Sequence, residues 1–240
     1  MRRHAGWILL GTVVGVAATL RLGFWQLDRA AQKVAMQTRI EARRTLPVLR
    51  NADLATTPQA AEQQFERRAQ LQGRWLAGQT IFLDNRQMNG KPGFYVVTPL
   101  QLEQRAESVL VQRGWVARNF ADRTALPALP TPTGSVTIAG SIAPPPARLY
   151  EFATAASGPI RQNLDPDAYA RELGIRLLPL SLLQADGPDG GADGLRRDWP
   201  LPALDLQKHY GYAFQWFALA ALMAGLYVWF QLLQPRRRHG

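Results

Sequence analysis

The 240-residue sequence contains no cysteine. That excludes a disulfide framework and every cysteine-ligated zinc, iron–sulfur or redox centre. It leaves the compartment open, because a chain without thiols is safe in an oxidising space without depending on one. Histidine is nearly as scarce. His4 and His239 sit in the tails, and only His209 lies elsewhere. A single histidine cannot build a multi-histidine metal site. There is no nucleophile elbow, no phosphate-cradling glycine loop, no HExxH and no internal repeat. These absences predict a protein that is not an enzyme.

Acidic residues are missing from both ends. All 18 lie between Asp28 and Asp205, whereas arginines sit at positions 2, 3, 236, 237 and 238. The net charge of +10 is therefore concentrated at the termini. It forms topology signals and no nucleic-acid stripe, so no nucleic-acid partner is expected.

Two long apolar runs adjoin those basic ends. Gly6 to Leu27 carries one charge, Arg21, and Tyr210 to Leu233 carries none. Each has the length of a membrane-spanning helix. Each has aromatic residues at both ends: Trp7 with Phe24 and Trp25, and Tyr210, Tyr212 and Trp216 with Tyr227 and Trp229. Aromatic rings favour the headgroup level, and arginine clusters stay in the cytoplasm. The expected layout is a cytoplasmic tail at 1–5, a span at 6–27, a periplasmic domain at 28–209, a span at 210–233 and a basic cytoplasmic tail at 234–240. A cleaved signal peptide is the rival reading of the first run, with Val16-Ala17-Ala18 as the cleavage site. Trp25 argues for a retained anchor. Arg21 lies about 9 Å inside the outer end of its helix. It either snorkels to the headgroups or faces the second helix or a bound anion.

Between the spans, Asp28 to Arg44 reads as a polar continuation of the first helix, with a weak stripe at Ala31, Val34 and Thr38, ended by Pro47. Residues 51–64 read as loop. Strands are expected at Ala69–Gln72, Thr80–Leu83, Phe94–Thr98, Val109–Val116 and Val136–Ile142, with a turn at Asn89-Gly90-Lys91-Pro92-Gly93. Asp165-Pro166 opens a short helix running to Gly174, and Arg176–Gln184 is a last apolar run. Residues 186–194 read as a flexible loop. Asp84-Asn85-Arg86 and Gln112-Arg113-Gly114-Trp115 read as polar strand ends that serve turns and side-chain capping, with an Arg113–Asp84 cross-strand pair as the alternative. The fold class is α+β: two transmembrane helices flanking one domain of about 150 residues, built on a small antiparallel sheet with one or two helices.

Four blocks, taken in order, resemble the Surfeit-locus (Surf-one) family of cytochrome c oxidase assembly proteins. They are LGFWQLDRAAQK at 22–33, GRWLAGQTIFLDNRQMNGKPGFYVVTPL at 73–100, VLVQRGWV at 109–116 and KHYGYAFQWFALA at 208–220. Gln112 stands where the family has Asn and Tyr210 where it has Leu; residues 120–205 match poorly. The resemblance implies an inner-membrane assembly factor that helps place haem a, or a related haem, into oxidase subunit I. It implies subunit I as a partner, haem a synthase as a second one, and membrane lipid around the spans. It also implies that His209, which aligns with a haem-binding histidine, holds haem iron as an axial ligand.

The local pattern is compatible with that implication, since a neutral imidazole is a good axial ligand. His209, Ala213 and Trp216 share a face at i, i+4 and i+7 with Tyr212 beside them, and Arg21 lies at a depth suited to a propionate. On this reading Tyr212, Trp216 and Arg21 are the haem contacts. The alternatives are that His209 is a rim residue capping its helix or bonding headgroups, and that the protein is a haem-free scaffold holding partly built oxidase subunits.

Overall fold

In a computed structural model, residues 2–119, 121–122, 125–149, 158–187, 193–199 and 206–234 are described. The chain divides into two compact units, Met1–Arg39 with Pro202–Gly240, and Ile40–Leu201.

The first unit is a pair of long helices. Helix α1 covers Arg2–Thr45 without a break. At 1.5 Å per residue it is about 66 Å long, twice the hydrocarbon thickness of a bilayer. The polar continuation past Leu27 is therefore helix, and it stops short of Pro47 as expected. Its sheltered stripe is Ala30, Lys33, Gln37 and Ile40, not the expected Ala31, Val34 and Thr38, which are exposed. The stripe continues the spacing set up inside the span.

The other helix, labelled α4 in chain order, covers Leu206–Tyr227 and continues as a π-helical segment, Val228–Leu233. Both helices pass the length and composition test for membrane spans. Their large apolar side chains stand in the open, Trp7 at 75% and Phe214 at 74% exposure. Apolar faces of this extent belong against lipid, and the protein is a membrane protein.

The second unit is sheet-rich. Its elements are α2 (Pro58–Glu62), β1 (Arg68–Trp75), β2 (Ile81–Met88), β3 (Lys91–Leu102), β4 (Glu107–Ala117), β5 (Ser135–Ala143), β6 (Ile160–Arg161), α3 (Pro166–Leu173) and β7 (Arg176–Gln184). All five expected strands and the final apolar run form. The region expected as loop at 51–64 contains a 3₁₀ turn and α2, whose N-cap Thr57 side chain accepts from the Ala60 amide. The central residues of the β2–β3 hairpin, Asn89 and Gly90, both have positive φ, 51° and 74°. That is the mirror-image turn whose twist matches a hairpin. Helix α3 begins where the capping signal places it: Asp165 Oδ1 accepts from Ala168 N at 2.9 Å, and Gly174 closes the helix at φ 64°.

The sheet is mixed. β1–β5, β1–β3, β2–β3, β3–β4 and β5–β7 are antiparallel, while β4–β7 and β2–β6 are parallel. The pairings β1–β5–β7–β4–β3–β1 close into a ring of five strands. Side chains alternate across each strand, so one set points into the ring. Leu71, Leu100, Val109, Val111, Ile142, Leu180 and Leu182 make a fully buried core there, with Leu49, Leu54 and Ala61 packed onto it. A second cluster seats Tyr169 and Leu164 against Ile81, Leu83, Val97 and Leu110.

The two expected polar strand ends lie inside strands, at bulges. One register shift falls between Leu83 and Arg86, with Asn85 at φ 59°; the other sets Val96 and Val97 opposite Gly114 and Gln112, passing over Arg113. The expected Arg113–Asp84 pair is not formed. Asp84 pairs with Arg118, and Arg113 reaches Asp193 at 4.0 Å. A bulge inserts one residue and re-aims the side chains after it, so Asp84 and Arg113 face other partners.

Candidate functional site

In α1 the sheltered positions include the stripe Thr12, Val16, Thr19, Gly23, Gln26 and Ala30, with Gly15 beside it. In α4 they include the stripe His209, Ala213, Trp216, Ala220, Met223 and Tyr227, with Phe217 beside it. Both sets alternate steps of three and four, the seven-residue spacing of helices packed at a shallow angle. The helices run antiparallel, because Gly15 meets Met223, Gly23 meets Phe217 and Gln26 meets His209. Small residues permit the close approach. A Cβ on Gly23 would lie 2.6 Å from the Phe217 ring, and Phe217 stands edge-on to Phe24 at 5.3 Å. Thr19 places its hydroxyl on the Gly15 carbonyl at 2.9 Å, so its polar group is satisfied within its own helix.

At one end of this seam stands His209, half-buried, its Nδ1 2.8 Å from Gln26 Oε1. An amide oxygen only accepts, so this contact calls for a proton on Nδ1; in a neutral ring Nε2 then keeps the lone pair. Trp216 is half-buried on the same stripe, two turns along. Tyr212 is 51% exposed on its flank.

Arg21 is not on this surface. It lies two residues after Thr19 and two before Gly23, which at 100° per residue is the opposite side of α1. It is exposed there and lines a groove with Ala18, Leu22, Phe24, Trp25 and Asp28. Rotation about α1 thus sets Arg21 apart from the face on which His209 and Trp216 stand. Gln26 lies in the LGFWQLDRAAQK block, where nothing in its residue type marks it. Its signal was the spacing, three after Gly23 and seven after Thr19.

In the second unit the quoted VLVQRGWV block is architectural. Arg113 is 2% exposed, stacks 4.9 Å over Trp75, and donates to Thr131 Oγ1 at 3.0 Å and the Pro130 carbonyl at 2.8 Å. Burial lowers its guanidinium from the ordinary arginine value, Asp193 pulls it back up, and Arg197 pushes it down again. A Cβ on Gly114 would lie 2.7 Å from Leu195 Cβ and 2.9 Å from the Arg196 carbonyl. Glycine there lets Trp115 exchange backbone hydrogen bonds with Arg196, at 2.7 and 2.8 Å. Trp115 in turn donates its indole proton to the Arg86 carbonyl at 3.0 Å. Among the described residues no group of three or more His, Asp or Glu could hold a metal ion.

Residues 13–221 match the sequence profile of the SURF1 family. The chain is 29% identical over 96 residues to the cytochrome oxidase assembly protein SHY1 of Saccharomyces cerevisiae, covering 40% of this chain and 24% of that protein. It is 26% identical over 212 residues to a SURF1-like protein of Rickettsia bellii, covering 86% and 83% of the two chains. A SURF1-like protein of Rickettsia felis is 30% identical over 99 residues, 40% of each. The chain thus spans about a quarter of the yeast relative and most of the first rickettsial one.

Proposed function

The chain belongs to the SURF1 family, and from that premise we propose that it is a non-enzymatic assembly factor for a cytochrome oxidase of the inner membrane. Its task is to assist the placement of haem a, or a related haem, into subunit I, with haem a synthase as the source to which it answers. Both termini lie in the cytoplasm and the sheet domain lies outside.

The observation that carries the haem assignment is the state of His209. Its Nδ1 is engaged by Gln26 Oε1 at 2.8 Å. An imidazole engaged at one nitrogen presents the other as a neutral donor, and metal-bound histidines are held in this way. Haem supplies the iron that such a nitrogen ligates. His209 would hold it, and Tyr212 and Trp216 would offer aromatic surface on one side of α4. Arg21, turned to the far side of α1, serves lipid phosphates in place of a propionate on this histidine.

His209→Ala tests the reading. Alanine is a good helix former and the position is near a helix end, so insertion and protein level should stay at wild type. Bound haem, measured by visible spectrum on protein purified from cells that make haem a, should fall strongly. A variant that keeps its full haem complement would leave the haem-free scaffold as the account.

A further inference from the structure

We propose that Gln26 is a positioning residue for His209: it sets the tautomer of the imidazole and makes α1 a working part of the haem-holding site. This rests on the reading of His209 as the haem-holding residue.

Gln26 is half-buried in the seam, one turn from Gly23, where the helices approach closely. A glutamine amide in such surroundings is costly unless it is hydrogen-bonded. Its partner comes from the other helix, 183 positions away in sequence, at 2.8 Å. The neighbours on its stripe, Gly23 and Ala30, offer no side-chain donor.

The consequence is chemical. An unconstrained neutral histidine prefers its proton on Nε2, which would spend the more accessible nitrogen as a donor. Gln26 Oε1 draws the proton to Nδ1 and frees the Nε2 lone pair for iron. The same bond fixes rotation of the ring. A glutamine does this without adding a charge to the seam, where a carboxylate would need a cation of its own.

The test uses the full-length protein with ¹⁵N-labelled histidine in lipid nanodiscs, before and after loading with haem. In the haem-free protein the ¹⁵N shifts of His209 should report a proton on Nδ1. In Gln26→Leu, which keeps an apolar helix former at the position, the proton should move to Nε2. In Gln26→Glu it should remain on Nδ1. After loading, Gln26→Leu should hold haem roughly tenfold less tightly, the usual cost of removing such a partner. Gln26→Glu should retain haem and raise the iron–histidine stretching frequency of the ferrous form.

A Gln26→Leu protein with the wild-type tautomer, or with wild-type haem affinity while His209→Ala has lost its haem, overturns the role of Gln26 and leaves His209 as ligand. Retention of haem by His209→Ala instead removes the reading on which the proposal rests, whatever the tautomer of the wild type.

Discussion

Tyr169 shows how much one buried hydroxyl is asked to do in the sheet domain. It is 1% exposed and donates to the Gln79 carbonyl. Burial raises its phenol to about 12, with Arg161, 5.2 Å over the ring, opposing the rise. The phenol thus binds its proton more tightly folded than unfolded. Stability from this source is fully present below pH 10 and is lost as pH rises from 10 through about 12. Two units correspond to about 2–3 kcal/mol. Tyr169→Phe leaves the Gln79 carbonyl unpaired and should cost about 1–3 kcal/mol at neutral pH. The gap between the two proteins in urea titrations should then narrow above pH 10; a constant gap to pH 12 would remove the phenol from the account. Residue types were legible in the sequence at this scale, but partners were not. His209 stood out by scarcity. Gln26 did not, because glutamine is common, and its importance is a matter of what faces it across the seam. Asp84 drew attention as a carboxylate, yet it takes Arg118 because a single inserted residue at each bulge changes which arginine faces it.

Elements were more legible than partners, because their signals are local. The Asp165-Pro166 start, the Gly174 stop and the Asn89-Gly90 turn need nothing beyond their own neighbours, and all three stand where the sequence puts them. Strand β6, two residues long, has too few positions to show alternation and was not foreseen. The seam lies between these cases: its spacing is in the sequence, but lipid-facing and partner-facing positions are apolar alike, so composition does not choose the face. The choice can be tested at two glycines of α1. Gly23 has the Phe217 ring where a Cβ would be, at 2.6 Å, whereas Gly11 has nothing within 4 Å. Gly23→Val should loosen the helix pair by about 1–3 kcal/mol through overpacking. Gly11→Val should be neutral or slightly stabilising, since valine is the better helix former. The readout is Trp fluorescence during titration of the micelle-bound protein with dodecyl sulfate. Equal midpoints for the two variants would mean that Gly23 does not face α4.

At the scale of the whole molecule, the sequence displays which segments are strands but not their order in the sheet. Neighbouring strands β2, β3 and β4 form an antiparallel meander, as short connections favour. Closure of the ring depends on β5 returning to β1 and on β7 entering parallel to β4, pairings between segments far apart in the chain. Nothing local marks them; they follow from burying the apolar faces that β1, β5 and β7 share. The proposed orientation in the membrane rests on a different kind of property, charge at the ends. Arg2 and Arg3 precede the first span and Arg236–Arg238 follow the second, while every acidic residue lies between Asp28 and Asp205. Two spans with basic ends on the same side leave the sheet domain on the other. The lack of cysteine makes this directly measurable, because a single introduced thiol is the only one in the chain. Ala77 is exposed in the turn before β2. Ala77→Cys should react with a membrane-impermeant maleimide in intact spheroplasts. His239→Cys, beside the basic cluster, should react only after the membrane is permeabilised. The reverse pattern would place the sheet domain in the cytoplasm and overturn the proposed orientation.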